Sequence, residues 1–265
     1  MNNNLFEDIL DTAIYASTKA GEALVTKAGP PQKIGEKSPR DVVTEADKIC
    51  ETIIIDNIQK TYPDHQIIAE EAGHTGSKKS KIQWYVDPLD GTLNYLHGIP
   101  FSAISIGVYE ENIPLVGVVN DPWRKELFHS VRGAGAYLNQ KSIKSSEKSE
   151  IKRTLIGTEL RPPPIGETTR FTKIVFKLLP EALVIRSYGA ATLALAYVAA
   201  GRLDAYFNIG LWPWDLAGGI ALISEAGGMI SDLRNKSLDL YSRECLVAGN
   251  SDLHQNLVSI ITHQN

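Results

Sequence analysis

The segment Trp84-Tyr85-Val86-Asp87-Pro88-Leu89-Asp90-Gly91-Thr92-Leu93-Asn94-Tyr95 carries the densest chemistry in the chain. An apolar run delivers two carboxylates three residues apart. Pro88 interrupts strand pairing because it has no N–H to donate, and Gly91 permits tight backbone geometry. Thr92 opens a short helix whose unpaired N–H groups and dipole would face the turn. Acids beside a helix N-terminus oppose one another if the ligand is only an anion. They fit together if divalent cations lie between the carboxylates and a phosphate whose oxygens the N–H groups hold. A plain Asp-Gly turn is the competing account, and it leaves two further acidic turns unexplained.

The first of these is Glu70-Glu71, at the end of the apolar run Gln66-Ile67-Ile68-Ala69. The second is Asp215 in Trp212-Pro213-Trp214-Asp215-Leu216-Ala217-Gly218-Gly219, at an expected helix N-cap. Alone, an acidic pair reads as solvated surface and an Asp as a simple cap. Three acidic turns, all at strand or helix ends, are together more than chance offers.

Those turns need elements to position them. Residues 5–27 carry apolar side chains at Leu5, Ile9, Ala13, Ala16, Ala20, Ala23 and Leu24, a helical spacing with one buried face, ended by Gly29-Pro30-Pro31. A loop over 35–41 leads to a helix over 44–60, in which Thr44 and Asp47 have capping-box spacing. Strands are predicted at 66–69 and 82–86, and β-rich runs at 102–109, 115–120 and 126–131 suggest an antiparallel meander. The polar stretch 140–152 marks a boundary between an N-terminal α+β subdomain (1–145) and a C-terminal α/β subdomain (146–265). Beyond it, strands at 154–158, 183–187, 204–207 and 245–248 alternate with helices at 167–179, 192–200 and 215–226, the pattern of layered α/β packing.

Composition narrows the classes. The 265 residues are 43% hydrophobic and 22% charged, with 27 basic and 31 acidic side chains giving a net charge of −4. That excludes intrinsic disorder and argues against a nucleic-acid partner, which calls for a basic excess. The lysines around Lys78 and from Lys141 to Lys152 read as solvated loops. Cys50 and Cys245 fall in apolar settings, without a metal or disulfide pattern, as in a reducing compartment. No apolar run approaches the ~20 residues that span a bilayer. The start Met1-Asn2-Asn3-Asn4 has neither the charge nor the apolar core of a leader. A cytoplasmic protein without a membrane partner is the expectation.

The motifs, in this order and spacing, resemble the inositol monophosphatase family of Mg²⁺-dependent, lithium-sensitive phosphomonoesterases. The Glu70-Glu71 pair is similar to its first acidic element, Asp87-Pro88-Leu89-Asp90-Gly91-Thr92 to its central motif, and Trp214-Asp215-Leu216-Ala217-Gly218-Gly219 to its C-terminal motif. Lys37, Asp41, Thr44 and Asp47 resemble its N-terminal loop and helix start, and Arg186-Ser187-Tyr188-Gly189-Ala190-Ala191 its substrate-side loop. The resemblance covers essentially the whole chain and implies a five-layer α-β-α-β-α sandwich, the fold shared with fructose-1,6-bisphosphatase. It further implies two or three Mg²⁺ ions per site, a small phosphate ester as substrate, and a homodimer. By position, Glu70, Asp87 and the Leu89 carbonyl resemble ligands of one metal, and Asp87, Asp90 and Asp215 those of a second. Gly91 and Thr92, with Asp90, resemble the phosphate side of the substrate site. Thr92 with Asp47, and Glu70, resemble the groups that orient the attacking water. Gly189 and Ala191 resemble contacts to the substrate ring.

Two positions depart from animal members of the family: Asn208 stands where they carry a Glu that binds inositol hydroxyls, and Arg161 where they carry a Gly. If both face the substrate, the alcohol side gains positive charge and admits a second phosphate. Inositol monophosphate or a related sugar phosphate is therefore the expected substrate, with fructose 1,6-bisphosphate and 3′(2′),5′-bisphosphate nucleotides as alternatives. A regulatory interaction protein that keeps the fold is the alternative from another class; the metal-ligand positions are nonetheless all intact.

Overall fold

The computed structural model describes residues 3–29, 34–38, 41–161 and 164–262. Helix α1 spans Asn3–Thr26. Strands β1 (Ile34–Ser38) and β2 (Asp41–Thr44) form an antiparallel hairpin where the sequence suggests a loop. Gly35-Glu36-Lys37 has no apolar alternation to betray a strand. The side chains of Lys37 and Asp41 lie outside the described residues. Helix α2 (Glu45–Thr61) begins as its capping box requires: Thr44 Oγ1 accepts from the Ala46 and Asp47 amides, and the Asp47 carboxylate accepts from the Thr44 amide.

The first large sheet contains β3 (Gln66–Ala69), β4 (Gly73–Gly76) and β5 (Ile82–Asp90), the last followed by the short helix α3 (Thr92–Leu96). It continues through β6 (Ala103–Glu110), β7 (Ile113–Asp121), β8 (Glu126–Val131), β9 (Gly135–Leu138) and β10 (Lys141–Ile143). Its order is β10-β9-β8-β7-β6-β5-β3-β4. The meander from β6 to β8 is antiparallel as expected, while β3 runs parallel to β5.

The second half supplies β11 (Leu155–Thr158), α4 (Thr168–Leu178), β12 (Val184–Ser187), α5 (Ala191–Ala199), β13 (Ala205–Ile209), α6 (Pro213–Ala226), β14 (Met229–Ser231), β15 (Glu244–Ala248) and α7 (Ser251–Thr262). Its sheet is ordered β12-β11-β13-β15-β14.

Three apolar clusters define the layers. Ile9, Ala13 and Leu24 of α1 and Ile54 of α2 pack on Trp84, Ile106 and Val118 of the large sheet. Leu193 and Leu195 of α5, with Leu216 and Ile220 of α6, fill the space between Val119 and Phe128 of one sheet and Tyr206 and Val247 of the other. Phe171 and Ile174 of α4 and Leu253 and Leu257 of α7 cover Ile156, Phe207 and Leu246 on the outer face. The order is the α-β-α-β-α sandwich. Each such leucine, isoleucine, valine or phenylalanine, fully buried, contributes ~1.5–3 kcal/mol of transfer free energy. Helix α6 lies in the middle layer and is apolar around most of its surface, as a doubly covered helix must be. Its Gly218 lets it sit directly on the sheet, because a Cβ there would collide with Ser105 Oγ and stand 3.1 Å from the Val118 carbonyl oxygen. That close approach brings the N-terminus of α6, with Asp215, to the end of β5.

Candidate active site

A cavity of about 300 Å³ opens where β5, α3, β11, α5 and α6 meet. Glu70, Asp87, Leu89, Asp90, Gly91, Thr92, Arg161, Gly189, Ala191 and Asp215 all line it.

The parallel pairing of β3 and β5 sets Ala69 opposite Val86, so the residues that follow, Glu70 and Asp87, leave the sheet at one edge. The Glu70 amide donates to the Val86 carbonyl at 3.2 Å and fixes that departure. Residues three apart on a regular strand point to opposite faces. Asp87 and Asp90 escape this rule through a bulge: Asp87 pairs with Ser105 but Asp90 with Ala103, so three steps on β5 match two on β6. Pro88 sits inside that bulge, and the Leu89 amide turns inward to donate to Asp87 Oδ1 at 3.0 Å. Gly91 follows at φ +85°, where a Cβ would approach the Phe101 carbonyl oxygen to 2.9 Å.

The remaining groups are pinned by the backbone. Asp90 caps α5 from a distant part of the chain: Oδ1 accepts from the Ala191 amide at 3.2 Å, and Oδ2 from the Thr192 amide and hydroxyl at 2.7 Å each. Helix α6 begins at Pro213 rather than at Asp215, which occupies its third position and accepts the Trp212 amide through Oδ2 at 2.7 Å. Asp47 stands behind the cavity and does not line it. The Thr92 hydroxyl reaches its Oδ1 at 3.3 Å and the Leu89 carbonyl at 3.1 Å.

Electrostatics register the crowding. Burial raises the Asp87 carboxyl well above its ordinary value, and the charges of Glu70, Asp90 and Asp215 raise it further. Asp90 is raised by burial against the pull of its Thr192 and Ala191 hydrogen bonds. Asp215 is pushed up to about 6 by burial and then by Asp90. Burial also raises Asp47, opposed by Thr44. A cation placed among these groups relieves both desolvation and repulsion. Carboxylate and carbonyl oxygens suit a hard divalent ion such as Mg²⁺. Among the described residues no three acidic, imidazole or thiol groups already converge on one point. This does not conflict with Mg²⁺, which keeps several waters and takes one or two carboxylates per ion. The donor set fits.

The cavity's other wall differs in part from the sequence-based expectation. Asn208 does not line it. The residue is buried in β13, its Nδ2 donates to the Tyr206 hydroxyl at 3.3 Å, and its Oδ1 accepts the Ile209 amide at 2.9 Å. An amide with local partners gains nothing by turning outward. The wall carries instead Glu159, Leu160 and Ser187 beside Arg161. Glu159 is 6% exposed, its Oε2 accepts the Gly189 amide at 2.8 Å, and burial followed by the Asp90 charge pushes it up to about 8. The signal for it was present: like Glu70, Glu159 is an acid just past the end of a strand, where open sheets place ligand sites. Asn94 ties the two walls, donating through Nδ2 to the Phe101 and Tyr188 carbonyls at 2.7 and 2.8 Å.

A layered fold with an acidic pocket at converging strand and helix ends defines a class of proteins, and the comparisons place the chain within it. Residues 6–264 match the family model described as "Inositol monophosphatase family". The chain is 42% identical over 226 residues to "Nus factor SuhB" of Escherichia coli (strain K12), covering 84% of this chain and 85% of that protein. It is 38% identical over 266 residues to "Inositol monophosphatase 1" of Solanum lycopersicum, covering 98% and 96%. The crystal structure of extragenic suppressor protein suhB from Bartonella henselae superposes with a TM-score of 0.92 at 32% identity, covering 97% and 100%. The chain belongs to the inositol monophosphatase family.

Proposed function

We propose that this protein is a Mg²⁺-dependent phosphomonoesterase that hydrolyses inositol monophosphate or a related small sugar phosphate. The observation that carries this reading is Asp87 buried among three other carboxylates on one cavity wall, with the Thr92–Asp47 pair behind it. In the proposed site Glu70, Asp87, the Leu89 carbonyl, Asp90 and Asp215 would hold two or three ions. Bound Mg²⁺ supplies an acidified water and neutralises charge on the phosphate and the leaving alkoxide. The chain's own groups do the positioning. Thr92 Oγ1 spends its proton on Asp47 or the Leu89 carbonyl, so its lone pairs are left to accept a hydrogen bond from an attacking water. Glu70 takes the water's other hydrogen as a proton. Water oxygen bonds to phosphorus as the ester P–O bond breaks, and that proton passes on to the leaving alkoxide, giving the free alcohol and inorganic phosphate. Phosphoryl transfer asks for little beyond positioning and charge neutralisation. Among the described residues no helix is long and apolar enough to cross a membrane. Lithium inhibition, a homodimer and a cytoplasmic location belong to the same proposal.

The test is phosphate release with and without Mg²⁺ over inositol 1-phosphate, fructose 1,6-bisphosphate and 3′-phosphoadenosine 5′-phosphate. Full activity in excess chelator sinks the metal mechanism. A second reading, a regulatory protein that acts by binding a partner, is favoured by the relative named Nus factor SuhB. Absence of turnover on the whole panel in Mg²⁺ would turn the balance to that reading.

A further inference from the structure

Two arginines meet on one backbone carbonyl, that of Gly210, next to the cavity-lining Leu211. Arg161, which lines the cavity, donates from Nη2 to the Gly210 carbonyl at 3.3 Å. Arg243, far away in sequence, donates from its own Nη2 to the same oxygen at 3.3 Å and from Nε to the Leu211 carbonyl at 3.4 Å. The two nitrogens are therefore no further apart than twice 3.3 Å. Two like charges have been gathered onto a neutral acceptor; among the described residues neither guanidinium makes a direct ion pair, although Asp215 attracts both and Glu159 attracts Arg161 from further off. Repulsion at that range needs an opposing constraint, and Arg243 shows one. Its backbone sits at φ +61°, a region non-glycine residues seldom adopt. Its guanidinium lies 3.7 Å from the Trp212 ring centroid, and its carbonyl accepts the Gly210 and Leu211 amides. Burial lowers the guanidinium's proton affinity and Arg161 lowers it further, against the pull of Asp215. A guanidinium carries five N–H groups. The Gly210 and Leu211 carbonyls occupy one on Arg161 and two on Arg243, which leaves four donors on the first and three on the second without a hydrogen bond among the described residues, next to Leu211, itself a lining residue.

We propose that Arg161 and Arg243 form an anion subsite at the mouth of the active site, which receives a second phosphate on the substrate and so favours sugar bisphosphates over monophosphates. The proposal rests on the phosphatase reading and refines its substrate class. It moves the reading of the second charge away from position 208, which is turned into the protein. A tetrahedral dianion bridging two forks satisfies both guanidiniums at once and cancels their repulsion.

The experiment compares kcat/KM for fructose 1,6-bisphosphate and inositol 1-phosphate in wild type, Arg161→Met, Arg243→Asn and Arg243→Lys. Asn removes the charge yet tolerates positive φ, and circular dichroism checks the fold of each variant. The ratio of bisphosphate to monophosphate kcat/KM should fall at least about tenfold in Arg161→Met and Arg243→Asn, the scale of a charge-assisted hydrogen bond. Arg243→Lys should recover part of it. A ratio that stays at the wild-type value, with both substrates affected alike, overturns the subsite and leaves a purely structural clamp on Gly210. If wild type hydrolyses neither ester, the phosphatase reading fails separately. Calorimetric titration with fructose 1,6-bisphosphate in chelator then reads the subsite alone. Binding that the Arg161→Met/Arg243→Asn double variant loses supports it; equal binding, or none to wild type, overturns it.

Discussion

The two walls of the cavity are built differently. On one side Asp87, Asp90 and Asp215 are carboxylates whose oxygens already accept backbone amides of Leu89, of Ala191 and Thr192, and of Trp212. These amides belong to elements locked into the central layers. On the other side stand Arg161, which is exposed, and Leu160, 64% exposed, on a connection that leaves β11. The first wall is held by the fold itself, so its geometry cannot change without moving a sheet or a helix. Past the buried Glu159, the second is a strand end and a loop, where substitutions cost little stability. The difference divides the proposed roles: under the phosphatase reading, the reaction groups belong to the rigid wall and substrate choice to the adaptable one.

The sharpest way to break that comparison is Asp87→Asn. It should reduce kcat by about a thousandfold or more, since several kcal/mol of transition-state stabilisation depend on this carboxylate. In chelator the same change should raise the melting temperature, because it removes one buried charge from a cluster of four. Retained turnover, or a lower metal-free melting temperature, contradicts the assignment. Next in size, Thr92→Val should cost about a hundredfold in kcat with little change in KM, as expected for a group that orients a proton-bearing water. A KM effect of equal size would move Thr92 from the reaction to binding.

Glu159 probes the second wall through pH. Its carboxyl is raised from 4.5 to about 8, so the folded state holds the proton more tightly than the unfolded state. Between those values the native protein binds more protons, and stability contributed by this group is lost as pH rises from about 4.5 toward about 8. Metal-free Glu159→Gln should melt with a flatter pH dependence across that window than wild type. Parallel profiles would show that Glu159 does not carry the effect. Smallest is Asn208→Ala, which should destabilise the fold by about 1–3 kcal/mol through its lost buried hydrogen bonds, and leave the bisphosphate-to-monophosphate ratio as it was. A changed ratio would place position 208 back on the substrate wall.

Much of the rigid wall was legible beforehand because its signals are local. A strand ending in acids, a Pro-Leu-Asp-Gly turn and a Trp-Asp helix start are each written within a few residues, and the Thr44–Asp47 box closes as its spacing requires. Strands β4, β9, β10 and β14 and helix α7 escaped that reading. The strands are three or four residues long and hold at most one β-branched residue each, where the equally short β3, β11 and β12 hold two. Helix α7 has the amphipathic spacing, with Leu253 and Leu257 buried, and could have been read from it.

By itself, then, the order of residues determined which acidic groups would gather in one cavity and that they would stand at the ends of strands and helices. Three further matters belonged to the tertiary structure. Sheet pairing decided that Asp87 and Asp90 share a face, because the extra residue in the bulge exists only relative to β6. Packing decided that Asn208 turns inward, because Tyr206 and the Ile209 amide offer it partners. Long-range closure decided that Arg243 joins Arg161 on one carbonyl, because a contact between residues so distant in the chain has no local pattern from which to be read.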